Sequence, residues 1–147
     1  MKIDFALKSK AQVRGGLIME LAPDMLDDSI AIEESVYLSE NAFGFIERCI
    51  TKCWPAYANY GHWGLSKIPV DTWRDIVNLL LELRANLVEA RTPDEVIGLG
   101  FIFDDVRKAF RSDFENMRLS IGKMITELVS WLESKMPICS HITIIGI

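Results

Sequence analysis

The 147-residue chain lacks an excess of positive charge, is poor in cysteine and contains no long apolar run. Lys plus Arg number 16 against 21 Asp plus Glu, a net charge of -5, which argues against a nucleic-acid binder, since such a protein normally carries a basic face. Three cysteines, Cys49, Cys53 and Cys139, leave one unpaired in any disulfide scheme and fit a reducing compartment. The longest apolar-plus-glycine stretch, Val96 to Phe103, falls far short of the roughly 20 residues that span a bilayer, so no membrane role is expected. The opening MKIDFALKSK has no continuous apolar region of the signal-peptide kind, which predicts a cytoplasmic protein. With only five prolines, nine glycines and no biased tract, a collagenous or disordered chain is also excluded. What remains is a chain half hydrophobic and the size of one ordinary domain, expected to fold as a single globule over residues 1–147.

Helical periodicity dominates the second half. After Asp71 or Thr72 as cap, Trp73, Ile76, Val77, Leu80, Leu83, Leu87 and Val88 recur at three- and four-residue spacing, predicting a helix that ends near Arg91. Thr92-Pro93-Asp94-Glu95 then has the form of a capping box with proline at the first helical position, predicting a helix through Val96, Leu99, Phe103, Val106 and Phe110. A second box, Ser112-Asp113-Phe114-Glu115, either starts a new helix or lies within one long one running to Pro137. In the first half, Phe43, Ile46, Cys49, Ile50 and Cys53 form a helical stripe from Ser39 to Cys53. Gly15 to Leu38 fits strand and helix alike. HITIIGI, residues 141–147, is β-branched and short, and its expected strand partner is the alternating Ile3, Phe5 and Leu7. The predicted fold class is therefore mainly α: three or four main helices with a small sheet built from the termini. Trp73, Leu80, Leu83, Phe103, Leu128 and Trp131 are expected to be buried together.

No catalytic constellation emerges. Cys49 and Cys53 stand four apart on an apolar helix stripe, with His62 and Cys139-Ser140-His141 elsewhere; zinc ligation lacks the usual paired spacing, and the cysteines read as small core residues. A cysteine nucleophile would need a base and a lowered thiol pKa, which no sequence neighbour supplies. Gly98-Leu99-Gly100 lacks the third glycine of a phosphate-binding loop. No metal and no cofactor are expected. His62, within the aromatic stretch Tyr57 to Trp63, serves packing, recognition or, in a small enzyme, acid–base chemistry.

Charge distribution is more informative. From Leu21 to Glu47 there are seven acids (Asp24, Asp27, Asp28, Glu33, Glu34, Glu40, Glu47) and no Lys or Arg. Such a run is either a solvated segment with acids at helix starts or a docking face that steers a basic partner by its field.

Val36-Tyr37-Leu38-Ser39-Glu40-Asn41-Ala42-Phe43, Tyr60-Gly61-His62-Trp63-Gly64-Leu65-Ser66-Lys67-Ile68 and Asp71-Thr72-Trp73-Arg74, with the leucine-rich helix that follows, resemble the small immunity proteins of bacterial polymorphic toxin and contact-dependent growth inhibition systems. The resemblance covers residues 36 to 90. It implies a cytoplasmic, non-enzymatic protein that binds one cognate toxin domain, often a nuclease with a basic cleft, and neutralises it. The partner-binding residues expected from charge and aromatic content are Asp27, Asp28, Glu33, Glu34, Glu40, Tyr57, Tyr60, His62 and Trp63. Free of its toxin such a protein is expected to be a monomer or homodimer; a small homo-oligomeric adaptor or structural helical protein and a small enzyme using His62 are the other readings.

Overall fold

The structure, a computed structural model, describes residues 2–25, 34–59, 64–100 and 103–146. Among these, β1 (Lys8–Ser9), β2 (Ile18–Met25), β3 (Val36–Ser39), β4 (Gly64–Pro69) and β5 (Cys139–Gly146) form one antiparallel sheet in the order β1-β3-β2-β5-β4. Five helices accompany it: α1 (Glu40–Gly44), α2 (Glu47–Cys53), α3 (Val70–Glu89), α4 (Asp104–Ser112) and α5 (Phe114–Lys135). With 57% helix and 22% strand the fold is α+β, which corrects the mainly helical domain that periodicity predicts.

The correction comes from three segments that carry weak local signals. The C-terminal run does form a strand, but its partners are β2 on one side and β4 on the other, not Ile3 to Leu7. The alternation at the N-terminus reflects irregular packing: Ile3 is buried, Phe5 lies 5.5 Å from the Phe45 ring, and only Lys8 and Ser9 join the sheet, against Tyr37 and Val36. β2 alternates as a half-buried strand should, with Met19 and Leu21 inward, but it also contains Glu20, Pro23 and Asp24. In β4 the polarity is reversed, since Ser66 is buried and Leu65 is 63% exposed, so no apolar-in pattern marks it.

Cross-strand partners share a face. Leu21, Ile144 and Ser66 form one inward row and Pro23, Ile142 and Ile68 the next. On this face lie α3 and α5, which run antiparallel: Arg84 near the middle of α3 donates to Thr126 Oγ1 at 3.1 Å, and Arg118 near the start of α5 donates to the Ala90 carbonyl at 2.6 Å. Arg118 thereby places a cation on the C-terminal carbonyls of α3, where the helix dipole favours it. The Trp73 indole, fully buried, donates to the Ile142 carbonyl at 2.9 Å and ties α3 to β5, an interior strand of the sheet. Trp73, Leu80, Leu83 and Leu128 are in the core as periodicity predicts. Phe103 is not: it is 44% exposed at the start of α4, and Trp131 is half-buried with its indole donating to the Glu34 carbonyl at 3.1 Å.

Helix boundaries also shift. The stripe from Ser39 to Cys53 breaks at Phe45-Ile46 into α1 and α2, with Ser39 Oγ accepting from the Ala42 amide at 3.2 Å as the cap of α1. Pro69, not Asp71 or Thr72, precedes α3. The proline-containing capping box makes only a 3-10 turn, Pro93–Glu95, and the predicted helix begins late, at Asp104. Gly98 takes φ +82°, incompatible with helix, while Glu95 turns its carboxylate back to the Arg91 amide. The second box does start a separate helix, α5. No helix among the described residues is long and apolar enough to cross a membrane.

Candidate functional site

Four acids of the acidic run, Asp24, Glu34, Glu40 and Glu47, fall on described residues. Asp24 pairs with Lys67 at 3.0 Å across the outward face of the sheet, Glu34 pairs with Lys135 at 3.2 Å, and Glu47, buried, accepts from the Tyr57 hydroxyl at 2.6 Å. Glu40 opens α1 half-buried, its amide donating to the Leu17 carbonyl at 3.1 Å. Asp27, Asp28 and Glu33 lie outside the described residues, as do Tyr60, His62 and Trp63.

Tyr57 is described, and it is not a surface anchor. Its ring is 3% exposed, 6.4 Å from Phe43, and burial together with the adjacent Glu47 charge holds its phenol protonated far above the ordinary range. This residue therefore leaves the set of exposed partner contacts expected from the sequence.

The register shows where the two remaining groups attach. β2 ends at Met25, opposite Cys139, and residues 26–33 connect it to its neighbour β3. Residues 60–63 lead into β4 at Gly64, opposite Gly146. Cys139 and Gly146 are the two ends of β5, about 23 Å apart at the usual rise per strand residue. The acidic connection and the aromatic segment thus join opposite ends of the sheet. Between them lies the outward sheet face, formed by Glu20, Ile145 and Leu65 in one row and Ala22, Thr143 and Lys67 in the next.

Both flanks of the acidic connection are fixed. Asp24 is held by Lys67 on one side; on the other, Glu34 is held by Lys135 through its carboxylate and by Trp131 through its carbonyl, and Ser35 is buried.

The thiols are free and poorly nucleophilic. Burial pushes Cys49 up to about 11, and Cys53 and Cys139 are raised for the same reason. Among the described residues, no three His, Cys, Asp or Glu side chains converge as metal ligands.

One concavity was not foreseen. A cleft of about 450 Å³ opens between α2, α3 and the segment 96–99, floored by Cys49, Leu79, Leu83 and Leu99 and edged by Arg48, Lys52, Glu82 and Asn86. Asn86 fastens the crossing segment, accepting from the Ile97 amide at 2.8 Å and donating to the Glu95 carbonyl at 3.3 Å. Gly100 continues it against α1 and α2, so closely that a Cβ there would sit 2.9 Å from the Gly44 carbonyl oxygen. The sequence signals for this cleft are an asparagine inside a leucine-rich helix and two cations one turn apart beside the cysteine stripe. Neither specifies a site until the segment 96–99 crosses them.

Compared with known proteins, the chain matches no family model, no curated protein and no solved structure.

Proposed function

We propose that this protein is a non-enzymatic binder of the immunity type, which neutralises a basic toxin domain, most often a nuclease, by docking along the acidic connection between β2 and β3. The observation that carries the reading is that connection: residues 26–33 bring Asp27, Asp28 and Glu33 and no base, between flanks whose own acids are already paired within the chain. Asp24, Glu34 and Glu47 are engaged within the chain, and on this reading Asp27, Asp28 and Glu33 supply the charge that steers a partner. The resemblance of residues 36 to 90 to immunity proteins supports the same class, as do thiols held in their unreactive form. On this reading a partner that also meets Tyr60, His62 and Trp63 spans the length of the sheet, because the two segments join it at opposite ends.

The test is binding kinetics against the toxin domain encoded beside this gene. Asp27→Lys with Asp28→Lys is expected to slow association about tenfold at low salt and flatten its salt dependence, with little change in dissociation. Trp63→Ala is expected to act on dissociation, by a loss of about 2 kcal/mol. Unchanged kinetics in both variants, or no binding by the wild type, overturns the proposal; a folded wild type that is a stable higher oligomer by light scattering and binds no toxin favours the adaptor reading.

A further inference from the structure

The cleft lies in the helical layer, away from the outward sheet face, and its chemistry is of the opposite sign to the acidic connection. We infer that it is a binding site for a small amphipathic carboxylate, with the carboxylate on Arg48 and Lys52 and the apolar part on Leu79, Leu83 and Leu99. The site goes beyond toxin binding and stands or falls independently of it.

The argument begins with two cations. Arg48 and Lys52 are four residues apart on α2, which puts both on one face about 6 Å apart along the axis. Both are exposed, both edge the cleft, and among the described residues no hydrogen bond or ion pair holds either side chain. Elsewhere among the described residues of this acidic protein, Lys8, Lys67, Arg74, Arg107, Arg111, Arg118 and Lys135 hold carboxylates. Glu82 faces them from α3, so the rim retains an excess of one positive charge. A carboxylate satisfies that excess, and an arginine fork with a neighbouring ammonium suits its two oxygens.

Shape selects a small ligand over a protein segment. The volume of about 450 Å³ lies within the range of ordinary small-molecule pockets, and the floor is apolar while the polar groups gather at the rim. Two devices hold the third wall in place without a ligand. Asn86 grips it by two backbone groups, and Gly100 seats it against the Gly44 carbonyl. A wall fixed in advance need not be ordered on binding, which favours affinity for a small molecule. Cys49 on the floor remains a neutral thiol, so the cleft binds rather than reacts.

Octanoate, octylamine and octanol present one tail with three heads, and calorimetry on the full chain compares them. Octanoate is expected to bind at one site at least ~10-fold more tightly than octylamine or octanol, the ratio one lost charge-assisted contact corresponds to. Arg48→Gln with Lys52→Gln is expected to lower octanoate affinity by a similar ~10-fold factor while leaving octanol affinity unchanged. Both side chains are exposed, so the variant is expected to keep the wild-type melting profile by circular dichroism. Leu79→Trp, which fills the floor, is expected to abolish binding of all three. Equal binding of octylamine and octanoate, octanoate binding that survives the double substitution, or no binding by the wild type overturns the inference. So does binding of an acidic leucine-rich peptide in place of octanoate, which would make the rim a protein contact.

Discussion

The Tyr57 hydroxyl donates to the Glu47 carboxylate in the protein interior, and burial and the Glu47 charge both oppose loss of its proton. In the unfolded chain that phenol ionises near pH 10; in the folded one it stays neutral well above. Its contribution to stability is therefore complete below pH 10 and is lost above it, at about 1.4 kcal/mol per pH unit. Cys49 behaves alike at a lower threshold. Its folded pKa of about 11 exceeds the ordinary thiol value of 9.0, so stability declines between those limits by about 3 kcal/mol. Cys53 and Cys139 shift in the same direction. Urea unfolding is expected to show a constant midpoint from pH 7 to 8.5 and a fall beyond pH 9. Tyr57→Phe is expected to cost about 1–3 kcal/mol at pH 7, because a buried carboxylate loses its donor, and to make the decline above pH 10 shallower. A wild-type midpoint that does not move up to pH 10.5 would refute both assignments.

At the scale of elements, the crossing segment 96–99 depends on very few contacts. Asn86→Ala removes both of its hydrogen bonds to α3 and is expected to cost about 1–2 kcal/mol, with faster hydrogen exchange at the Ile97 amide than at amides of α3. Gly100→Ala forces a Cβ against the Gly44 carbonyl and is expected to cost about 1–3 kcal/mol, as overpacking does. If both variants match wild type in stability and exchange, the segment is not held in the way described. These same elements show what the sequence makes legible. α3 and α5 could be read because an uninterrupted apolar stripe of several turns has one interpretation; Trp73, Leu80, Leu83 and Leu128 are buried where that stripe puts them. Strand β4 could not, since Ser66 faces inward and Leu65 outward, and β2 carries Pro23 and Asp24 among its apolar residues. The stretch 96–103 read as helix because Val96, Leu99 and Phe103 keep helical spacing, although Gly98 adopts a backbone conformation no helix permits and Phe103 stays exposed. The acidic run was visible as composition, but Lys67 and Lys135, which neutralise its flanks, come from distant elements. The cleft needed three such elements to meet, and local spacing carries no trace of that.

For the molecule as a whole, the order β1-β3-β2-β5-β4 places the strand nearest the C-terminus between two strands from the first half of the chain. β5 also receives the Trp73 indole, so it joins sheet to helical layer. A chain stopped after Met136 is expected to lose cooperative urea unfolding altogether, whereas one lacking residues 1–9 keeps it, because β1 lies at the sheet edge with two residues. A sigmoidal transition in the chain ending at Met136 would show that the sheet survives without β5. Contacts between early and late residues also make such a fold slow to assemble compared with a helical bundle. During synthesis, the apolar stripes of α3 and α5 leave the ribosome before the strand they pack upon, and β2 and β4 remain without their common neighbour until residues 139–146 follow. Until β5 is made, the future interior of this domain therefore stays open to chaperones and proteases, and a chain stalled before residue 139 is expected to be degraded rather than to work in part.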